Sequence, residues 1–267
     1  MQIRTEKCYN VREVSMLSKS KIKLINSLKR KKYRQINRLF TAEGSKLVLE
    51  LLNSGFRVKT VVALESYIES VQEELLKNAG EVIAVSDNEL KKISSLTAPQ
   101  KVLAVAEIPD WKVEDEEIKK NLSLALDDIR DPGNLGTIIR TADWFGIKNV
   151  FCSQTCVDVY NPKVVQSTMG AVTRVKVHYT ELAQLLDKWS AKSDCEIYGS
   201  FLKGENIYGA GLTNRGMVVL GNESRGISAA LRPYISRSLC IPHRGRSESL
   251  NVSAAAAVIC SEFRRKE

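Results

Sequence analysis

Along the 267 residues, short apolar runs alternate with stretches in which apolar side chains return every three or four positions. The first such stretch places Ile22, Ile25 and Leu28 on one face with lysines between them, and Ser20 is its candidate cap. LFTA at 39–42 reads as a strand, and 45–53 as a helix with Leu47, Leu51 and Leu52 inward, closed by Gly55. Further strands are expected at 58–63, 82–85 and 102–106, with helices at 70–78, ended by Gly80, and 88–95. Residues 108–121, IPDWKVEDEEIKKN, are charged, carry a proline and lack alternation, as a linker would. The rhythm restarts with LALDD at 124–128. Strands then fall at 149–153, 174–178, 196–201, 216–220 and 238–241, and helices at 137–145, 163–171, 181–190, 228–235 and 253–264. Strands separated by helices imply a mostly parallel sheet covered on both faces. The expected organisation is a small α/β domain at 1–107, a linker at 108–122 and a parallel-sheet α/β domain at 123–267.

Composition narrows the functional classes. Hydrophobic residues make up 43% of the chain, but no apolar run approaches the ~20 residues needed to cross a bilayer. The opening MQIRTEKCYN has no apolar core behind its charges, so no secretory signal is expected. The six cysteines form no C-x-x-C pair and only two histidines accompany them, so no metal site is expected. Scattered cysteines point to reduced thiols and a cytoplasmic protein.

Charge adds more. The net charge is +9, and no acidic residue occurs between Glu13 and Glu43. That window holds Lys19, Lys21, Lys23, Lys29, Arg30, Lys31, Lys32, Arg34 and Arg38. Ordinary surfaces mix both signs, whereas a one-sign stretch suits a polyanion. Lys29, Arg30, Lys31, Lys32, Arg34 and Arg38 are the candidate contacts. By itself the run does not separate RNA from DNA, anionic lipid or a merely solvated face.

Ligands of parallel α/β sheets bind where the chain leaves the carboxyl ends of strands, and three such exits here are polar and rich in glycine. The first is DDIRDPGNLGTIIRTADWFG, 127–146. Pro132, Gly133 and Gly136 read as a tight turn before a helix, which puts Arg140 in that helix's first turn. The macrodipole opposes a cation there, so either a bound anion holds Arg140 or it pairs with Asp143 or Asp131. The second is VVLGNESRG, 218–226, where Gly221 permits a close approach and Asn222, Glu223 and Arg225 offer hydrogen bonds. It is equally compatible with a plain polar turn. The third is LCIPHRGRSESLNVSAAAAVICSEF, 239–263, with Ser249 and Asn251 flanking Leu250 before an alanine-rich helix for which Ser253 is a candidate cap. Ser249 and Asn251 could equally serve only as capping residues.

Taken together, NLGTIIRTA (134–142), LGNESRG (220–226) and IPHRGRSESLNVSAAAA (241–257) resemble the signature set of the SpoU family of RNA ribose methyltransferases. The resemblance covers about residues 123–267. KKYRQINRLFTAEGSKLVLELLNSG (31–55) resembles the ribosomal-protein-like RNA-binding domain that often precedes this catalytic domain.

The resemblance implies a trefoil-knotted C-terminal domain, homodimerisation through it, and transfer of a methyl group from S-adenosylmethionine to a ribose 2′-hydroxyl of ribosomal or transfer RNA. It implies cofactor contacts at Leu202 and Gly204, in a loop after strand 196–201, and at Gly221, Ile241, His243, Ser249 and Leu250. Methionine is commoner in the family where His243 stands. Arg140 inherits the proposed base role, with Asn134, Glu223, Ser249 and Asn251 orienting the reactants. A guanidinium gives up its proton only above pH ~12. Arg140 therefore either passes a proton to the target phosphate in a special geometry or stays cationic while another group takes it. Two other readings remain: a non-catalytic RNA-binding or ribosome-assembly protein on the same fold, and a nucleotide-cofactor oxidoreductase, which the lack of a G-x-G-x-x-G after a strand disfavours.

Overall fold

The computed structural model describes residues 17–190 and 195–265. Two compact units divide the chain: one reaches to Pro109 and includes Tyr160–Pro162, and the other comprises Asp110–Val159 and the chain from Lys163 onward.

In the first unit, helix α1 (Lys19–Ser27) is capped by Ser18, whose Oγ accepts from the Lys21 amide at 3.3 Å. Ser20, the expected cap, lies inside the helix. A short α2 (Lys31–Asn37), hidden within the basic run, follows. It ends at Arg38 in the left-handed region (φ 54°). The succession continues with β1 (Leu39–Glu43), α3 (Ser45–Leu52), β2 (Val58–Leu64), α4 (Glu65–Ser70), α5 (Glu73–Leu76), β3 (Val82–Val85), α6 (Asp87–Ile93) and β4 (Val102–Glu107). The single helix expected at 70–78 is two short ones, because Val71 is extended (ψ 142°) and the Ser70 hydroxyl donates to the Tyr67 carbonyl. Serine 86 and Glu89 close a full capping box on α6. The sheet runs β1-β4-β2-β3, with β2 and β3 parallel and β4 antiparallel to both its neighbours. Ile25 and Leu28 pack with Val62, Ile83, Leu90, Ile93 and Leu103, so the three-residue spacing in α1 serves the core.

The second unit begins inside the expected linker. Helix α7 (Asp115–Lys120) buries Ile118 among Ala125, Leu186, Trp189 and Met217. One apolar residue in a charged hexapeptide is enough to dock a helix, yet too little to show as periodicity. Then come β5 (Leu122–Leu126), α8 (Pro132–Trp144), β6 (Asn149–Cys152), α9 (Pro162–Thr168), β7 (Lys176–Tyr179), α10 (Leu182–Ser190), β8 (Ile197–Asn206), β9 (Gly216–Leu220), β10 (Arg237–Cys240) and α11 (Val252–Arg264). All six strands are parallel, in the order β10-β8-β9-β5-β6-β7. The helix expected at 228–235 is only a 3-10 turn at Arg232–Tyr234, since Pro233 removes a donor and resists continuation.

Strand β8 is longer than its pattern suggests. Residues Leu202 and Gly204 lie on it rather than in a following loop. Its pairing with β10 jumps from Gly199↔Ser238 to Glu205↔Leu239, so the intervening residues bulge out of register. A Cβ on Gly204 would come within 2.4 Å of the Ser238 carbonyl oxygen, so glycine is required there by strand contact.

Candidate active site

The first loop grows from the end of β5. The Asp127 amide continues the ladder by donating to the Leu220 carbonyl (2.8 Å), and its carboxylate accepts from the Ser228 amide (2.8 Å). Asp128 is left-handed (φ 59°), a conformation that aspartate tolerates better than most residues. Its carbonyl accepts from the Asn222 side-chain amide at 2.9 Å. Asn222 Oδ1 in turn accepts from the Ser224 and Arg225 amides (3.0 and 3.2 Å). Asn222 thus joins the first loop to the second through Nδ2, while its Oδ1 shapes its own turn. Gly221 has a similar explanation: an added Cβ would sit 2.1 Å from the Gly226 carbonyl carbon, so this glycine lets its own turn fold back. Neither Asp127 nor Asp128 stood out in the sequence, since an acidic pair at a strand end is common.

Below this loop, Cys156 Sγ accepts from the Ile129 amide and donates to the Leu126 carbonyl, both at 3.2 Å. Its thiol is drawn down to about 7, chiefly by the hydrogen bond from Cys152.

Helix α8 starts earlier than its pattern suggests. Asp131 caps it by accepting from the Asn134 amide (2.8 Å), so Pro132, Gly133 and Gly136 are helical rather than a turn. Gly136 is buried, with space for a Cβ closed by Ser167 at 2.4 Å. Arg140 therefore lies in the third turn, where the macrodipole no longer opposes it. Its exposure has a different cause. Asp143 is held by Arg174, with Nη2–Oδ2 and Nε–Oδ1 both 2.9 Å, and Asp131 serves the helix cap. Both expected ion-pair partners are occupied. Among the described residues, the Arg140 guanidinium has no hydrogen bond or ion pair.

The three loops converge on Asn134. Its side-chain amide donates to Glu223 Oε1 at 2.7 Å, and its carbonyl oxygen accepts from Asn251 Nδ2 at 3.0 Å. Asn251 Oδ1 then accepts from the Ser253 and Ala254 amides (2.9 and 3.3 Å), which makes Asn251, and not Ser253, the cap of α11. The result is one directional chain from the N-terminus of α11 through two amides to a carboxylate. Asn134, Glu223 and Asn251 are brought together; Arg140 lies on the same helix as Asn134, six residues on, unbonded to them. Ser249 and His243 are exposed on the loop before α11. Leu202 and Leu250 are 67% and 52% exposed, while Ile241 is half-buried. Gly204 lies in the carboxyl-terminal half of β8, while Gly221 follows β9 and Ile241 and Leu250 follow β10, the strands on either side of it.

In the first unit the candidate cations divide. Arg30, Lys31 and Lys32 are exposed. Lys29 is exposed but donates to the Ser94 carbonyl (2.9 Å), and exposed Arg38 reaches the Ile108 and Pro109 carbonyls (3.3 and 3.4 Å). Arg34 is withdrawn from the surface: it is 2% exposed and donates to the Leu28 carbonyl at 2.8 Å. It is a structural arginine, not an RNA contact.

The three joined loops lie at the carboxyl ends of an all-parallel sheet, where such folds bind ligands, and the comparisons identify the family. The SpoU rRNA Methylase family model matches residues 121–261, and the MRM3-like substrate binding domain model matches 19–104. The chain belongs to the SpoU rRNA methylase family. It is 29% identical over 256 residues to the 23S rRNA (guanosine(2553)-2′-O)-methyltransferase RlmP of Bacillus subtilis, covering 95% of this chain and 100% of that one. It is 32% identical to the 23S rRNA (guanosine-2′-O-)-methyltransferase RlmB of Neisseria meningitidis, over 73% of this chain and 82% of the relative. Among solved structures it resembles a TrmH-family RNA methyltransferase from Porphyromonas gingivalis (TM-score 0.84, 38% identity, 95% and 100% covered). An AdoMet-bound rRNA methyltransferase from Sinorhizobium meliloti matches with TM-score 0.83 at 29% identity, over 96% and 98%.

Proposed function

We propose that this protein transfers a methyl group from S-adenosylmethionine to a ribose 2′-hydroxyl of ribosomal or transfer RNA. The observation that carries this is Arg140: an exposed guanidinium that bonds to no other described residue, on the helix whose Asn134 joins Glu223 and Asn251. The residues present fit the cofactor. Leu202 and Leu250 leave apolar surface uncovered beside the strand ends, which suits a flat heteroaromatic ring, and Gly204, Gly221, Ile241, His243 and Ser249 complete the proposed contacts. When bound, the cofactor supplies an activated sulfonium methyl.

The chain's own task is then to present the hydroxyl and manage its proton. A guanidinium surrounded by water keeps its proton at neutral pH. Arg140 accordingly acts as a cation that holds the RNA phosphate beside the target ribose, rather than as the literal base. The Asn251–Asn134–Glu223 chain holds the Glu223 carboxylate in one orientation, where it takes up the proton that the hydroxyl loses on methylation, and Ser249 on the neighbouring loop orients the ribose.

We assign the first unit as the RNA-substrate-binding domain, with Lys29, Arg30, Lys31 and Lys32 as phosphate contacts. We further propose that the second unit carries the trefoil knot and forms a homodimer. No helix among the described residues is long and apolar enough to cross a membrane, and cytoplasmic action on RNA is the proposed setting.

The test is Arg140→Ala. Transfer of labelled methyl to total RNA should be abolished, with cofactor and RNA affinities within a few-fold of wild type. Substantial residual turnover would remove Arg140 from the chemistry.

A further inference from the structure

Helix α2 exposes two large apolar side chains amid cations. Tyr33 is 37% exposed and Ile36 65%. Three residues apart on a helix, they share a face. The residue between them that would complete a purely charged surface, Arg34, points inward to the Leu28 carbonyl, and this bond fixes which side of α2 faces out. Lys29, Arg30, Lys31 and Lys32 are all exposed immediately before and within the helix, and no acidic residue lies between Glu13 and Glu43.

The combination discriminates among partners. A continuous RNA duplex offers phosphates and 2′-hydroxyls, which lysines satisfy but a tyrosine ring and an isoleucine do not. An unstacked base in a loop or bulge offers both a π-face for the ring and flanking phosphates for the cations. The one-sign charge excludes a basic partner and matches a polyanion.

We propose that the outer face of α2 is a stacking platform for an unpaired nucleobase, with Tyr33 and Ile36 covering the base and Lys29–Lys32 neutralising its phosphates. The RNA element read by the first unit is then a loop or bulge. This rests on the RNA-substrate reading above and specifies the substrate class.

The experiment compares full-length protein on two labelled RNAs: a hairpin with an unpaired loop, and its stem closed as a blunt duplex. Affinity is measured by fluorescence anisotropy across a salt series. Wild type should prefer the hairpin. Tyr33→Ala should weaken hairpin binding about tenfold, leaving duplex binding and the salt slope unchanged. Tyr33→Phe should retain the preference, and Ile36→Ser should reduce it. Lys31→Gln with Lys32→Gln should weaken both RNAs and flatten the slope. Hairpin affinity unaffected by Tyr33→Ala, equal losses on both RNAs, or no preference in wild type would overturn the platform. Methyl transfer is assayed separately on the same preparations. Retained transfer with no stacking effect rejects only the platform, and absent transfer with an intact stacking effect rejects only the enzymatic reading.

Discussion

The Arg174 guanidinium grips the Asp143 carboxylate through Nε and Nη2, both contacts at 2.9 Å. The pair is partly exposed and adds little to stability. Its effect is on charge placement. Asp143 sits three residues after Arg140 on α8, the spacing at which opposite charges meet on a helix. Arg174→Ala should release Asp143 to capture Arg140 and lower the methyl-transfer rate severalfold. Adding Asp143→Asn should restore the rate. Initial rates at saturating cofactor check this, and an equally slow double variant would show that Arg174 acts in some other way.

Asn251 has two separable duties: it caps α11 and it donates to Asn134. Asn251→Asp keeps the cap acceptor but can no longer donate to the Asn134 carbonyl oxygen. Its melting temperature should stay near wild type while methyl transfer falls at least tenfold. Asn251→Ala should lose both, with about 1 kcal/mol of stability gone with the cap. Thermal melts beside rate measurements separate the two; full activity in Asn251→Asp would deny the amide chain a catalytic role.

Arg34 should behave as a core residue. Arg34→Gln should cost roughly 1–3 kcal/mol, because the buried Leu28 carbonyl loses its charged donor. The salt slope of RNA binding should not move. Urea denaturation and a binding series decide; a flattened slope with unchanged stability would return Arg34 to the RNA surface.

Asp128 links the site to pH. Burial alone would raise its carboxyl, but hydrogen bonds from Arg130 and Thr155, helped by the charges of Arg130 and Arg225, hold it below the usual range. A depressed folded value means that the stabilisation is present above the ordinary aspartate range and disappears as pH falls through the folded value. Asp128→Asn keeps a residue that accepts the left-handed backbone. The melting-temperature gap between wild type and Asp128→Asn should be open at neutral pH and close below about pH 4. A gap that stays constant over that range would mean the charge on Asp128 contributes nothing.

Much of this was legible in advance, and the failures are informative. The strand patterns at 82–85 and 216–220 match the observed strands, since buried parallel strands must be apolar nearly throughout. Helix α7 leaves no trace in the pattern because a single buried Ile118 carries no period, and α2 leaves none because its seven residues are dominated by cations. The start of α8 was misplaced because Pro-Gly-Asn reads as a turn unless Asp131 is recognised as its cap.

Residue types and their spacing along the chain determined the two α/β units, since burial and helix or strand period are properties of neighbouring residues. The motif residues at 134, 140, 223 and 251 were marked by the resemblance of three separated segments to the SpoU signatures. Tertiary structure alone decided which side chains hold one another: Asn134 with Glu223 and Asn251, Asp143 with Arg174, Arg34 with Leu28. Hydrogen bonds and ion pairs act over about 3 Å, and only the folded chain brings residues that far apart in sequence within such a distance.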